Sequence, residues 1–407
     1  MSVAIIIPVY NLWDQMTLPC LNSLAKHTKN YDTHIYLIDN ASTDNTSTYA
    51  EKIGYELFSK KNFTYIKNQE NYGFAIACNQ GALKAKKDNH NYLFFLNNDT
   101  LVTKNWLPPL LKALEKPRVG LVGPLLLYPD NTVQHCGVVT TILGHLRHIY
   151  SHFPFNHAAI KTRKFKAITG AAFLCRTQEF FQYGCFYEEY KNGFEDIDLC
   201  YTYLKNGQSS EVTVDSIIYH HESQTPERSK EQHHNSNLLF KRNTIIRDAH
   251  LFYAQDGYIP ALTKDFFDYV RLPQEQNQKY NSYIMQNYSD NLCHELLKQE
   301  PFWHDGYQIL INSLVKQNKI DQAIIICMQA LCLCFCEHNN ELLNSLIQKT
   351  TNQNTFENII TKINENKKLL ENAKQYRITD FKNNFNNSAW YEKLLATRQL
   401  TIYNFEV

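Results

Sequence analysis

Three strand-like runs in this sequence end in polar residues able to hold a ligand: PVYN (Pro8–Asn11), IDNASTD (Ile38–Asp44) and YLFFLNNDT (Tyr92–Thr100). In the last, five positions of buried-strand character run straight into Asn97, Asn98 and Asp99, where a plain strand-ending turn would more usually bring Gly or Pro. A carboxylate there suits a hard divalent cation, which needs one or two such ligands and keeps positions for substrate phosphates. Further along, FEDIDLCYTYLKNG opens with Glu195, Asp196 and Asp198 ahead of a helical run. Oriented N–H groups at a helix start keep a carboxylate ionised, the state a general base requires. YHHESQT places His220 and His221 after the strand-like VTVDSIIY, and an imidazole makes a second ligand for the same cation. Each feature also has a structural reading. Asn11 and Asp44 suit helix caps, Asp39 suits the start of a turn, the acidic trio suits a charged first turn, and His220 suits an internally bonded histidine.

The elements that must position these groups follow from periodicity. From Val3 to about Phe240, apolar strand-like runs alternate with helical stretches, as in VAIIIPV, LPCLNSLAKH, HIYLID and AIACNQGALKAKK. That alternation predicts an α/β fold with parallel strands and crossover helices, and ligands of such sheets bind outside the carboxyl ends of the strands. Beyond Phe240 the strand signals fade and apolar residues recur at helical spacing, as in GYQILINSLVKQNKIDQAIIICMQALCLCF. An all-helical region is expected there, resembling a tetratricopeptide hairpin without a second copy at a fixed period. Mixed signals run from Arg242 to Gln278, and the division is drawn as 1–245 and 246–407.

Composition narrows the function classes. The 407 residues are 43% hydrophobic, and 41 basic against 40 acidic side chains leave a formal charge of +1, so no global field draws the chain to nucleic acid or an anionic bilayer. Pro8, Val9 and Tyr10 stand where a dinucleotide fold carries G-x-G-x-x-G, and no G-x-x-x-x-G-K-[ST] occurs, which disfavours NAD and P-loop phosphate binding. No stretch approaches the roughly 20 apolar residues of a membrane span. The 11 cysteines are scattered and odd in number, and with no signal peptide evident they read as reduced in a cytoplasmic protein.

PVYN, IDNASTD, NYGFAIACNQG (Asn71–Gly81), FFLNNDT, ITGAAFLCRTQEFFQYGCFYEEY (Ile168–Tyr190), FEDIDLCYTYLKNG and YHHESQT together resemble the ordered motif series of family-two glycosyltransferases, most closely their rhamnosyltransferase-like bacterial members. The resemblance covers about the first 240 residues. It implies a GT-A fold, with a mixed, mainly parallel sheet flanked by helices. It also implies inverting transfer of a sugar from a nucleoside diphosphate donor, assisted by Mn2+ or Mg2+. Pro8, Tyr10, Asn11, Asp39, Asn71, Gly73, Asn98 and Gly170 would then contact the donor. Asp99, the lone acid at the family's DxD position, would hold the metal with His220, or with His221 in its place. Asp196 would be the base, with Glu195 beside it. The acceptor would be a glycan, a lipid-linked sugar or a protein. A non-catalytic nucleotide-sugar sensor is the alternative, although it has no need of a base.

Other residues have less defined readings. His145, His148, His152 and His157 lie in GHLRHIYSHFPFNH without a Cys pair or helical i, i+4 spacing and are read as an acceptor-side loop rather than a zinc site. Trp13 either stacks on a ring or packs. The helical region is either an acceptor- or partner-binding module, or a dimerisation or peripheral membrane element suggested by the apolar stripe Ile324–Phe335.

Overall fold

The computed structural model describes residues 2–221, 231–262, 268–333 and 337–352, together with 356 and 401–402. These fall into two compact units, residues up to 139 with 147–245, and 140–146 with the residues from 246 onward.

The first unit opens with β1 (Val3–Val9), a single π turn (Trp13–Thr17) and α1 (Leu18–His27), then β2 (Thr33–Asp39), α2 (Thr46–Phe58), β3 (Phe63–Lys67), α3 (Phe74–Lys87) and β4 (Tyr92–Leu96). β5 (Thr100–Val102), α4 (Leu107–Leu114), β6 (Val119–Leu127), β7 (Val133–His135), β8 (Val138–Thr140), β9 (Leu146–His148) and β10 (Arg163–Phe165) follow. β11 (Ala172–Arg176), α5 (Thr177–Gln182), α6 (Glu195–Lys205), β12 (Ser209–His220) and α7 (Gln232–Arg242) complete it. The main sheet runs β10-β12-β6-β11-β4-β1-β2-β3, with β5 on β12 and β7 on β6. The expected mixed sheet is thus present. Its first half, β4-β1-β2-β3, is all parallel. β11 then inserts antiparallel between β4 and β6, and β12 runs parallel to β6.

Two features of this order position a site. From β1 the chain goes out to β2 and β3 on one side and returns as β4 on the other, so the carboxyl ends of β1 and β4 flank the reversal of strand order where open sheets bind ligands. β4 is buried on both faces, which accounts for its unbroken apolar run. Phe94 packs on Trp106 with centroids 4.6 Å apart, within a core shared with Leu21, Leu24, Leu110 and Leu114. Phe95 meets Phe173, Phe180 and Phe186 at 4.9, 5.0 and 5.1 Å. Trp13 is 1% exposed and belongs to this core, so it packs.

The second unit holds α8 (Ala249–Gln255), β13 (Ile259–Leu262), β14 (Asp268–Arg271), α9 (Gln274–Gln286), α10 (Asp290–Gln299), α11 (His304–Lys316), α12 (Ile320–Leu333), α13 (Glu337–Lys349) and β15 (Thr401–Ile402). It is helical apart from the small sheet β14-β13-β15. The pair β13–β14 falls in the stretch of mixed signals, where strands of four residues are too short to show a period. On α12 Ile324, Ile326, Cys327 and Ala330 are buried while Ile325 is half exposed, so the stripe largely serves packing; Phe335 lies outside the described residues. Among the described residues no helix is long and apolar enough to cross a membrane.

Because Phe94 has aromatic and aliphatic neighbours with no solvent to relax into, Phe94→Ala is expected to cost about 3–5 kcal/mol. Urea unfolding checks this, and a loss below about 1 kcal/mol would contradict the packing described.

Candidate active site

The site begins where β4 ends. The N–H of Asn97 donates to the Ala171 carbonyl at 2.8 Å, Thr100 Oγ1 donates to the Asn97 carbonyl at 2.7 Å, and Asn98 Nδ2 donates to Thr17 Oγ1 at 2.9 Å. This turn delivers the chain into β5, which pairs antiparallel with β12 in the register Thr100–His220, Leu101–Tyr219 and Val102–Ile218. The N–H of His221 donates to the Asp99 carbonyl at 3.0 Å. The register therefore sets Asp99 beside His220, and Asp99 Oδ1 lies 3.2 Å from His220 Nε2.

The electrostatics of this pair bear on a cation. His220 is 3% exposed, and its Nδ1 faces Gln134 Oε1 at 3.3 Å. Since a glutamine carbonyl only accepts, the ring proton belongs on Nδ1 and Nε2 turns a lone pair toward the carboxylate. Asp99 Oδ1 is itself buried without an aligned hydrogen bond. Two acceptors held face to face repel unless a proton or a cation lies between them. Burial pushes the Asp99 carboxyl up, but with a proton held between the pair the hydrogen bond and charge of the His220 imidazole outweigh it, and the net shift is downward. Among the described residues no three His, Cys, Asp or Glu side chains converge as a ready-made metal cage. A cation here would accordingly take two protein ligands and leave the rest of its shell to phosphate and water.

Opposite stands the amino end of α6. Its N-cap residue, Phe194, is left-handed (φ 73) without a side-chain cap, so the first-turn N–H groups turn to the acids. Asp196 Oδ1 accepts from Ile197 N–H at 2.8 Å and Oδ2 from Gly170 N–H at 2.6 Å. Each oxygen retains acceptor capacity for a substrate proton. Glu195 Oε2 accepts from Gly193 N–H at 2.6 Å. Asp198 serves as an anchor, gripped by Arg242 at 3.0 and 3.1 Å, Asn243 at 2.6 Å and the Tyr190 hydroxyl at 3.2 Å.

One cavity brings together Pro8, Tyr10, Asn71, Asn98, Asp99, Gly170, Glu195, Asp196 and His220 from the sequence reading. Asn11, Asp39 and Gly73 lie outside its lining. Asn11 Oδ1 accepts from the N–H groups of Thr43 and Asp44 at 2.7 and 3.3 Å, while Asp44 accepts from Trp13 N–H and Thr46, which staples the loops after β1 and β2. Asp39 is 0% exposed and accepts from Ser42 N–H at 2.8 Å and the Tyr65 hydroxyl at 2.6 Å. Gly73 takes φ 87 at the N-cap of α3, and its carbonyl accepts from Asn40 Nδ2 at 3.1 Å. Asn71 Oδ1 accepts from that same amide at 2.8 Å. The lining also includes Asn40, Asn97, Gln134, His148 and Asn192, which sequence reasoning did not single out as donor or catalytic residues. Asn40 and Asn97 were within quoted motifs; Gln134 and Asn192 carried no signal. Of the four loop histidines only His148 lines the cavity, whereas His152 stacks on Tyr128 and His157 meets Phe153 edge to face.

These geometries can be set against known proteins. Residues 4–178 match the model of glycosyl transferase family 2, the family whose motif series the sequence resembles. Over 147 residues the chain is 33% identical to the O-antigen biosynthesis protein RfbC of Myxococcus xanthus, covering 34% of this chain and 12% of that protein. Over 188 residues it is 30% identical to the uncharacterized protein y4gI of Sinorhizobium fredii, covering 43% and 20%. The chain thus spans a fifth or less of the curated relatives it matches. Among solved structures, GalNAc-T7 with UDP, GalNAc and Mn2+ aligns with a TM-score of 0.47 at 18% identity over 54% of this chain and 43% of that one. S. aureus TarS aligns at 0.41 and 19% identity over 86% and 53%.

Two expectations follow from the geometry. A Cβ at Gly170 would come within 3.0 Å of Asp196 Cβ and 3.4 Å of its Oδ2, so Gly170→Ala presses on the first turn of α6 and should cost about 1–3 kcal/mol; an unchanged urea midpoint would contradict this. The carboxyl of Asp99 is depressed in the folded chain, so its stabilising contribution is complete above the unfolded carboxylate pKa of about 4 and fades as pH falls through the lower folded value. The stability difference between wild type and Asp99→Asn, followed by urea unfolding from pH 7 to pH 3, should stay constant down to about pH 4 and shrink below it.

Proposed function

We propose that this chain is an inverting, metal-assisted glycosyltransferase that moves a sugar from a nucleoside diphosphate donor to a hydroxyl of a glycan, lipid-linked or protein acceptor. The observation that carries the reading is the meeting of the Asp99–His220 pair and the Asp196 carboxylate on one cavity at the strand-order reversal, Asp99 coming from the segment that matches family two and Asp196 and His220 from the residues after it. Among the described residues lining this cavity there are three carboxylates and no Lys or Arg. A diphosphate entering such a field requires a positive charge that it brings or finds there. Asp99 and His220 would hold Mn2+ or Mg2+, whose chemistry is to offset the charge developing on the departing diphosphate.

The chain's own residues do the rest. The turn Asn97–Asn98 and the loop Asn71–Gly73, braced by Asn40, form the donor side of the cavity. Asp196, oriented by two backbone N–H groups at a helix start, accepts the proton of the acceptor hydroxyl as its oxygen bonds the anomeric carbon. The carbon–oxygen bond to the diphosphate breaks with its electron pair leaving on the diphosphate. Attack from the face opposite the leaving group inverts the anomeric centre. Glu195, one residue away and tied to Gly193, orients the acceptor. In this reading the enzyme acts in the cytoplasm or at the membrane surface bordering it, residues 1–245 perform the transfer, and the helical residues 246–407 engage the acceptor or a partner, as helical hairpins with extended faces are suited to do.

Asp196→Asn keeps the size and removes the base. Its kcat for transfer or donor hydrolysis should fall about 10²–10⁴-fold with little change in donor KM. Equal rates in wild type and variant would exclude Asp196 as the base and favour a nucleotide-sugar-binding scaffold.

A further inference from the structure

We propose that Asn235 is a positioning residue for the acids of the cavity, holding the backbone that leads into α6 in the shape that presents Glu195 and Asp196 to a substrate; the inference rests on the glycosyl-transfer reading above. No helix or strand covers residues 183–194, between α5 and α6, yet Asn192, Gly193, Glu195 and Asp196 all line the cavity. Asn192 and Phe194 take φ values of 58° and 73°, a left-handed conformation that residues with a side chain keep only where their surroundings enforce it. Contacts from other elements must therefore hold this run in place.

Two side-chain amides supply that hold. Asn235 and Leu239, four residues apart on α7, are 1% and 0% exposed, and Asn235 spends both ends of its amide on the backbone of Lys191. Its Oδ1 accepts from the Lys191 N–H at 3.3 Å, and its Nδ2 donates to the Lys191 carbonyl at 3.0 Å. Asn79 of α3 grips Phe186 in the same manner, accepting from its N–H at 3.1 Å and donating to its carbonyl at 2.9 Å. The grip on Lys191 bears on the acids, because each residue after it is bonded in turn. Asn192 Oδ1 accepts from the N–H of Phe74 at 3.2 Å, Gly193 N–H donates to Glu195 Oε2 at 2.6 Å, and the Phe194 carbonyl accepts from Asp198 N–H at 3.0 Å, the first helical bond of α6. Asn235 itself does not line the cavity. Without its two bonds, Asn192 and Phe194 relax toward ordinary φ values, and the first turn of α6 loses the alignment of its acids.

The test measures hydrolysis of UDP-glucose, dTDP-rhamnose and GDP-mannose in Mn2+, with calorimetric binding of UDP, dTDP and GDP, on wild type, Asn235→Ala and the double variant Asn235→Ala, Phe194→Gly. For the conjugate that wild type hydrolyses, Asn235→Ala should lower kcat about tenfold at unchanged KM, with the diphosphate bound at the wild-type dissociation constant and full stoichiometry, since a misplaced reacting group slows the chemical step alone. A role confined to stability would leave kcat per binding-competent molecule unchanged. Glycine adopts a φ of this sign without the penalty of a Cβ, so Phe194→Gly should return part of the lost kcat. Unchanged kcat in Asn235→Ala, equal losses of kcat and diphosphate affinity, or no recovery in the double variant would overturn the role of Asn235 alone. Failure of wild type to hydrolyse any of the three conjugates would overturn the reading beneath it. In that case, or if Asn235→Ala does not fold, amide hydrogen exchange of wild type decides: protection of the Lys191 and Gly193 N–H groups supports the clamp, and exchange of Lys191 at the rate of an unstructured chain refutes it.

Discussion

The site depends on one strand pairing. β5 is only three residues long, yet its antiparallel register on β12 carries Asp99 to within 3.2 Å of His220, across more than a hundred residues of sequence. A slip of one residue would turn the side chains of β5 to the opposite face. The register is held from both ends, by the Asn97 turn bonded to Ala171 and by the His221 N–H on the Asp99 carbonyl. Because β11 is itself wedged antiparallel between β4 and β6, the same frame that fixes Asp99 also fixes Gly170, and through it Asp196.

The charges of the cavity follow from this frame. Three carboxylates face a common space at the ends of β4 and α6, and backbone N–H groups and an imidazole bear on them. Asp198, also in the first turn of α6, differs in its partners: Arg242 and Asn243 tether it, so it steadies the helix start whose other two acids line the cavity. The backbone leading into α6 is also strained. Asn192 and Phe194, on either side of Gly193, have φ values of 58° and 73°, a conformation that costs free energy for residues with a side chain and persists where surrounding structure enforces it.

The parallel half of the sheet was readable because β1, β2 and β4 are buried on both faces and so present unbroken apolar runs. The acids at strand and helix ends were readable because their types are unusual there. What sequence did not disclose is whatever pairing alone decides. The direction of β11 leaves no mark on its own periodicity, and β13 and β14 are too short to show any. Gln134 enters the cavity because β7 pairs with β6, and His148 enters it from the end of β9; neither placement follows from spacing in the sequence. Asp39 and Asn11, by contrast, look from sequence like ligand groups at strand ends, and the structure gives both of them hydrogen-bond partners in the loop after β2 and, for Asp39, in β3 as well.

The most direct test of the account is the melting temperature of wild type and Asp99→Ala with nucleoside diphosphates, each with and without Mn2+, since a ligand bound only by the folded state raises that temperature with its occupancy. The account predicts a Mn2+-dependent rise with one nucleotide in wild type that is lost in Asp99→Ala. A rise of equal size in Asp99→Ala, or none with any nucleotide, would contradict it.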